Sequence, residues 1–225
     1  MKITDKHVFF YVEWPSNFAK TKFTWTAFGE TNEFFCTEQA FMWAKAKYFN
    51  DEEIATKLLT EHNNDPMKCK KFGRLVKNYD DRMWNLVRYS YMLDVNLCKY
   101  QQDEKMKAKL LDPKFDGKTF VEASPTDCIW GIGLGEGNAN IDDETKWQGR
   151  NLLGQAITQC RDIIMKDCNE STKFNNIDEN PVDISTVLQT LEIYLMLLSN
   201  QKQNGAAEML ELVRNTIKRI DHENN

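Results

Sequence analysis

The sequence predicts an α+β fold: one helix-rich domain with small antiparallel strands, followed by a C-terminal helical extension. Strand formers crowd the start, in "HVFFYVEW" (7–14), "KFTWTAFG" (22–29) and "EFFC" (33–36). Helical periodicity runs from 37 to 111 and returns at 151–166. Past 166 the composition turns polar, and two more helical patterns close the chain.

Taken in order, the first strand is expected over 7–14, and the next two flank a turn at "GETN" (29–32). A helix follows at "TEQAFMWAKAKYF" (37–49), with Thr37 as its N-cap. At about 100° per residue, Phe41, Met42, Tyr48 and Phe49 gather on one side, with Ala40, Trp43 and Lys47 opposite. Glu38 and Lys45 fall in the middle of the apolar side. Further helices are expected at 51–61, 66–77, 80–98 and 103–111, the last stopped by Pro113. "KTFVEAS" (118–124) and "CIWGIG" (128–133) have strand composition, and "GLGEGNANIDDETKWQG" (133–149) is a loop. "NLLGQAITQCRDIIMK" (151–166) keeps helical spacing. The domain is therefore set at 1–168, a linker at 169–182 and a helical extension at 183–225, with helices near 183–199 and 205–221. In the last helix Leu210, Val213, Ile217 and Ile220 form a stripe suited to packing on its own domain or to a dimer seam.

With 225 residues, 41% hydrophobic and 28% charged, the chain has an ordinary globular composition. No apolar run reaches the ~20 residues that span a bilayer. The opening residues show no signal-peptide core, so a cytoplasmic protein without a membrane partner is expected. A net charge of −5 gives no global basic field for nucleic acid, though a local basic groove is compatible with it. Six cysteines, none in a CxxC pair, are expected as free thiols in a reducing compartment. His7, His62 and His222 have no partner nearby in sequence, which disfavours Ser-His-Asp or Cys-His chemistry. An enzyme built from this chain would use carboxylates or a lysine. No metal is called for, because the acidic residues lack ligand spacing, and no cofactor is expected.

Several polar groups sit in apolar settings. Arg88 shares a helix face with Trp84, Val87, Tyr91 and Val95, where it must pair, snorkel or face a cavity. Glu122 and Asp127 flank a Ser-Pro turn; they can divide acid and base roles, or serve as a solvated strand residue and a turn cap. "GIGLGEG" fails as a dinucleotide fingerprint, since Glu136 stands where the last glycine belongs. "WQGRNLLG" opens a helix whose free N–H groups could meet phosphate, with capping by Asn151 as the alternative. Together these features describe a polar pocket, floored by aromatics, for an anionic and partly planar ligand.

"NF" (17–18), "TEQAFMWAKAKYFND" (37–51), "FGRLV" (72–76), Trp84 with Arg88, "CKYQQ" (98–102), "VEASPTDCIWGIG" (121–133) and "WQGRNLLG" (147–154) form a series. Over about residues 7–166 it resembles the NADAR superfamily, also called YbiA-like. Glu38, Lys45, Arg74, Trp84, Arg88, Lys99, Glu122, Asp127, Trp130, Trp147 and Asn151 occupy motif positions, as do Asn17 and Gly131. Tyr100 departs from the phenylalanine usual after the motif lysine and keeps an aromatic ring. The resemblance implies a helix-rich mixed fold and an N-glycosidase acting on ribosyl-phosphate or ADP-ribose-linked bases. Its candidate substrates are phosphoribosylamino-pyrimidine intermediates of riboflavin synthesis and ADP-ribosylated guanine, free or in nucleic acid. A non-catalytic module that binds NAD or ADP-ribose is the alternative.

Cleaving such a C–N bond builds positive charge on the sugar and negative charge on the departing base. In one route Lys45 attacks the anomeric carbon after ring opening and forms a Schiff base, helped by burial that lowers its pKa. An ionised Glu38 would oppose that, so Glu38 is expected on sugar hydroxyls. In the other route Asp127 or Glu122 activates water and Lys45 only binds. Arg74, Arg88 and Lys99 are candidates for phosphate contacts, and Trp84, Trp130 and Trp147 for stacking.

Overall fold

The computed structural model describes residues 1–174. The expected helices at 183–199 and 205–221, and the stripe from Leu210 to Ile220, lie outside the described residues. Strands β1 (Lys2–Ile3) and β2 (His7–Phe10) pair antiparallel, and β2 pairs in parallel with β5 (Thr119–Glu122). Strands β3 (Lys20–Ala27) and β4 (Glu30–Cys36) form a separate antiparallel hairpin. Helices α1 (Thr37–Tyr48), α2 (Glu52–Thr60), α3 (Pro66–Arg74), α4 (Asp81–Gln102) and α5 (Glu104–Leu110) lie between β4 and β5. Helix α6 (Leu152–Phe174) follows a long loop and runs past the point where composition suggested a linker. None of these helices is long and apolar enough to cross a membrane.

The hairpin shows how pattern becomes packing. Thr21, Phe23 and Trp25 alternate inward along β3, with Lys20, Lys22 and Thr24 outward. The reversal falls at Phe28 and Gly29, one step earlier than the turn composition suggested. Both residues have positive φ, 54° and 77°, as a tight turn between right-twisted strands requires. Phe28 tolerates that conformation with its ring 5.6 Å from Tyr91 and 5.8 Å from Trp43.

Helices α2, α3, α4 and α5 start on Asp51, Asp65, Asp80 and Asp103, each accepting from backbone N–H groups in the first turn. Helix α1 differs. Thr37 lies inside the helix instead of capping it, and the flanking Cys36 makes no side-chain cap. Gln39 instead ties the helix start to its surroundings: its side chain accepts from the Phe35 N–H at 2.9 Å and donates to the Leu58 carbonyl at 2.8 Å.

Core contacts reach both faces of α1: Phe41 and Phe49 of the apolar side are buried in the main cluster, and so is the opposite face. Ala40, Trp43, Ala44 and Ala46 are fully buried, and Trp43 sits among Trp25, Phe28 and Phe34. Strand β2 is shared between two clusters: Val8 and Phe10 enter the main core, while Phe9 joins Val121, Ile132 and Ile141 in a smaller one.

The segment 128–133 is not a strand. It folds against the start of α6 through a close crossing of glycines. The N–H groups of Arg150, Asn151, Leu152 and Leu153 donate to the carbonyls of Cys128, Gly131, Ile129 and Trp130. An added Cβ at Gly149 would lie 2.3 Å from the Gly131 oxygen. Its alternating apolar residues therefore imitate a strand while its glycines build a crossing.

Gly149→Ala should cost more than about 2 kcal/mol, because backbone must move to admit the methyl. Gly137→Ala, with nothing within 4 Å, should stay within about 0.5 kcal/mol of the parent. Urea unfolding midpoints measure both; equal midpoints would remove the crossing as a constraint.

Candidate active site

The outer face of α1 carries Glu38, Phe41, Met42 and Lys45 on successive turns. They line a cavity of about 220 Å³. Helix α3 adds Lys70, Gly73 and Arg74, and α4 adds Trp84 and Arg88. The remaining wall comes from Asn17 with its neighbours, from Glu122 at the end of β5, and from Asp127 and Trp130 in the turn beyond. Phe41 forms the apolar floor, with ring centroids 5.3 Å from Trp84 and 5.1 Å from Trp130. The Asn17 loop is tied to α1 by the Glu38 N–H, which donates to the Asn17 carbonyl at 3.0 Å.

Lys45 is held from two sides. Its Nζ donates to the Gly73 carbonyl at 2.9 Å and lies 4.0 Å from the centroid of Tyr79. That carbonyl is free because α3 ends one residue later. A Cβ on residue 73 would collide with Met42, so glycine lets α3 come this close. Burial lowers the Lys45 pKa, against the opposing pull of Asp81 and Glu38.

The carboxyl groups respond in the opposite sense. Burial raises Glu38 to about 7; Lys70, Arg74 and Lys45 resist this, and Asp127 adds to it. Burial raises Glu122 to about 8, reinforced by Asp127 and Glu38 and resisted by Lys70. Oε2 of Glu122 is buried with no hydrogen-bond partner among the described residues. Asp127 is committed to local structure: its Oδ1 accepts the N–H groups of Ile129 at 2.9 Å and Trp130 at 2.8 Å. Among the described residues none of Lys45, Lys70, Arg74 and Arg88 forms an ion pair within 4.0 Å. The cavity thus holds Lys70, Arg74 and Arg88 without an ion-pair partner, an amine whose pKa burial lowers, and two carboxyl groups whose pKa values burial raises, beside Asp81 and Asp127; Lys70 and the two arginines are free to meet an anion.

Asn17, Glu38, Lys45, Arg74, Trp84, Arg88, Glu122, Asp127 and Trp130 come together here. The other candidates lie elsewhere. Lys99 is 0% exposed, and its Nζ donates to the Trp14 carbonyl at 3.3 Å. Its pKa is pushed down to about 8 by burial, and a phosphate cannot reach it. Trp147 packs on His7 at 5.3 Å and donates its indole N–H to the Ile141 carbonyl. Gly131 belongs to the glycine crossing. Asn151 is buried with φ 52° and does not cap α6. Its Oδ1 accepts the Glu122 N–H at 3.0 Å and its Nδ2 donates to the Phe120 carbonyl at 3.0 Å, which fixes the strand that carries Glu122. The α6 N-terminus is not open to phosphate, since carbonyls of 128–131 occupy its first N–H groups.

Lys70, Tyr79 and Asp81 were missed. Lys70 stands four residues before Arg74, a spacing that puts both on one helix face. Tyr79 and Asp81 precede or open α4 and carry no pattern that marks them. His7 finds distant partners, Asp142 at 2.7 Å and Glu144 at 3.1 Å, away from the cavity. Cys36, Cys69, Cys98, Cys128 and Cys160 are free thiols.

Glu122 should leave a signature in the pH dependence of stability. Between its ordinary 4.5 and about 8 only the folded chain keeps this proton, so rising pH favours unfolding through this group. Glu122→Gln removes that penalty. The variant should match the parent near pH 4.5 and exceed it by more than about 1 kcal/mol at pH 8. A difference independent of pH would show that Glu122 titrates normally.

The whole described core matches known proteins. The NADAR domain matches residues 3–165. Protein irg-1 of Caenorhabditis elegans is 38% identical over 132 residues, 58% of this chain and 60% of that protein's length. N-glycosidase R617 of Acanthamoeba polyphaga mimivirus is 33% identical over 172 residues, 71% of this chain and 96% of its own. The solution structure of Escherichia coli YbiA shares the fold with TM-score 0.56 and 22% identity, over 75% of this chain and 90% of that one. With its fold, its cavity and a family match over most of its length, the chain belongs to the NADAR family.

Proposed function

We propose that the protein is an N-glycosidase that hydrolyses the C–N bond between a phosphorylated ribosyl group and a base. The observation that carries the reading is the cavity itself: cations without ion-pair partners, two carboxyl groups whose pKa values burial raises, and one half-buried amine on an aromatic floor. The relative named N-glycosidase R617 supports the same activity. Phosphoribosylamino-pyrimidines and ADP-ribosylated guanine, alone or in nucleic acid, are the candidate substrates, and no membrane partner is invoked.

Each residue takes a role from its environment. Arg88 meets the phosphate, since a buried guanidinium without a protein partner needs an anion, and Lys70 and Arg74 add charge from the wall. Glu122 is the acid. As the ring opens, C1–O breaks, the ring oxygen takes the Glu122 proton, and the nitrogen lone pair forms C1=N. The neutral Lys45 amine adds to C1. A proton then passes from the Lys45 nitrogen through the Glu122 carboxylate to the base nitrogen, and the base departs. Water hydrolyses the protonated Lys45 imine: its oxygen becomes the C1 carbonyl, one proton returns to Glu122, and the amine and the free sugar are released. Glu38 contacts sugar hydroxyls, and its raised pKa weakens the objection that it would hold Lys45 as an ammonium. Asp127 fixes the turn that carries Trp130 and adds its charge beside Glu122. Its Oδ1 already accepts two N–H groups, which disfavours the route in which it activates water.

Borohydride added during turnover should trap sugar on Lys45, read by peptide mass spectrometry. Lys45→Ala should lose at least about 100-fold in rate. Rapid base release with no adduct, and a Lys45→Ala variant of unchanged rate, would overturn the lysine route. Binding of ADP-ribose without any base release would instead favour a non-catalytic binding module.

A further inference from the structure

A second cavity, of about 700 Å³, adjoins the first and shares Lys70, Arg74, Glu122 and Asp127 with it. The two differ in character. Lining residues found only in the inner cavity include Glu38, Lys45, Asp81 and Arg88. Those found only in the outer one are Tyr11, Val12, Met67, Ser124, Thr126 and Cys128, none a Lys, Arg, Asp or Glu. Tyr11, Val12 and Met67 are 44%, 75% and 49% exposed, and Ile129 on the shared wall is 40% exposed. Large apolar side chains left open around a concavity mark a contact surface for an apolar or planar group.

We infer that the outer cavity is the leaving-base subsite: the sugar phosphate lies inward and the planar heterocycle lies outward between Tyr11, Met67 and Ile129. This rests on the N-glycosidase reading and adds a direction to it. The scissile bond then crosses the shared wall, where Glu122 can reach both the ring oxygen and the departing nitrogen. The inner cavity, at about 220 Å³, falls below the ~300–1,000 Å³ usual for a whole ligand, so it holds only the sugar phosphate end. The outer one has room for a bicyclic base and is rimmed by exposed residues, so the base can carry further substituents. Charge separates in the same direction, with the unpaired cations deep or on the wall and uncharged groups outside. A ligand turned the other way would place a neutral base against Arg88 and leave its phosphate with only the shared Lys70 and Arg74 beside Val12 and Met67.

The two subsites can be separated by equilibrium binding to the full chain. Ribose 5-phosphate probes the inner cavity alone; guanosine 5′-monophosphate, as a binding probe, adds the base. The parent should bind the nucleotide at least tenfold more tightly than the sugar phosphate. Tyr11→Ser with Met67→Ser leaves net charge unchanged and alters half-exposed side chains. It should reduce that preference below threefold and leave ribose 5-phosphate affinity unaltered. Thr126→Trp, which fills the outer cavity from an exposed position, should do the same. A preference that survives both variants, or a parent that binds the two probes equally, overturns the subsite and leaves the glycosidase reading standing. If ribose 5-phosphate does not bind and no base is released from either candidate substrate, the glycosidase reading fails and the subsite with it.

Discussion

Helix α1 is enclosed on both sides, and only one side is filled. Its Ala40–Trp43–Ala44 face is packed into the main core. Its other face meets α3, α4 and the 123–131 segment, which stand far enough apart to leave a cavity over Glu38, Phe41 and Lys45. The filled side fixes the helix, and the fixed helix keeps an acid and an amine seven residues apart on one unfilled wall. Interior packing at crystal-like density makes such a gap stable only if its surroundings cannot collapse. Trp43 among Trp25, Phe28 and Phe34 supplies that rigidity.

The electrostatics follow from the same enclosure. Carboxyl groups withdrawn from water lose the hydration that favours ionisation, so Glu122 and Glu38 rise while the Lys45 amine falls. Acid and nucleophile are thus brought toward the forms their chemistry needs by one cause. The cations stay charged and unpaired, which gives the cavity its preference for an anionic end. Asn151 links this site to the fold: buried behind β5, it holds the backbone N–H of Glu122.

Much of the site was legible in the sequence because polar residues interrupt apolar faces at helical spacing. Glu38 with Lys45, and Trp84 with Arg88, are marked in that way, and both pairs line the cavity. Lys99 entered through the family motif instead, and a motif match does not separate an amine that faces a cavity from one buried beneath Trp14. The apolar side of α1 carries both core and cavity wall, with Phe41 and Phe49 buried and Glu38 and Lys45 on the cavity. The 128–133 segment imitated a strand because a glycine crossing depends on contacts with residues 148–153, which no local pattern contains. Trp147 and Asn151 were recognised as motif residues, yet their geometry serves the frame behind the site.

Enclosure raises the pKa of two glutamates into the neutral range beside a half-buried lysine. Titration of the glutamate side-chain carboxyl carbons by NMR, with Glu122→Gln and Glu38→Gln to assign the signals, measures it most directly. The account predicts one carboxyl titrating near 8 and another near 7, well apart from the surface glutamates. Two midpoints at the ordinary value of 4.5 would contradict it.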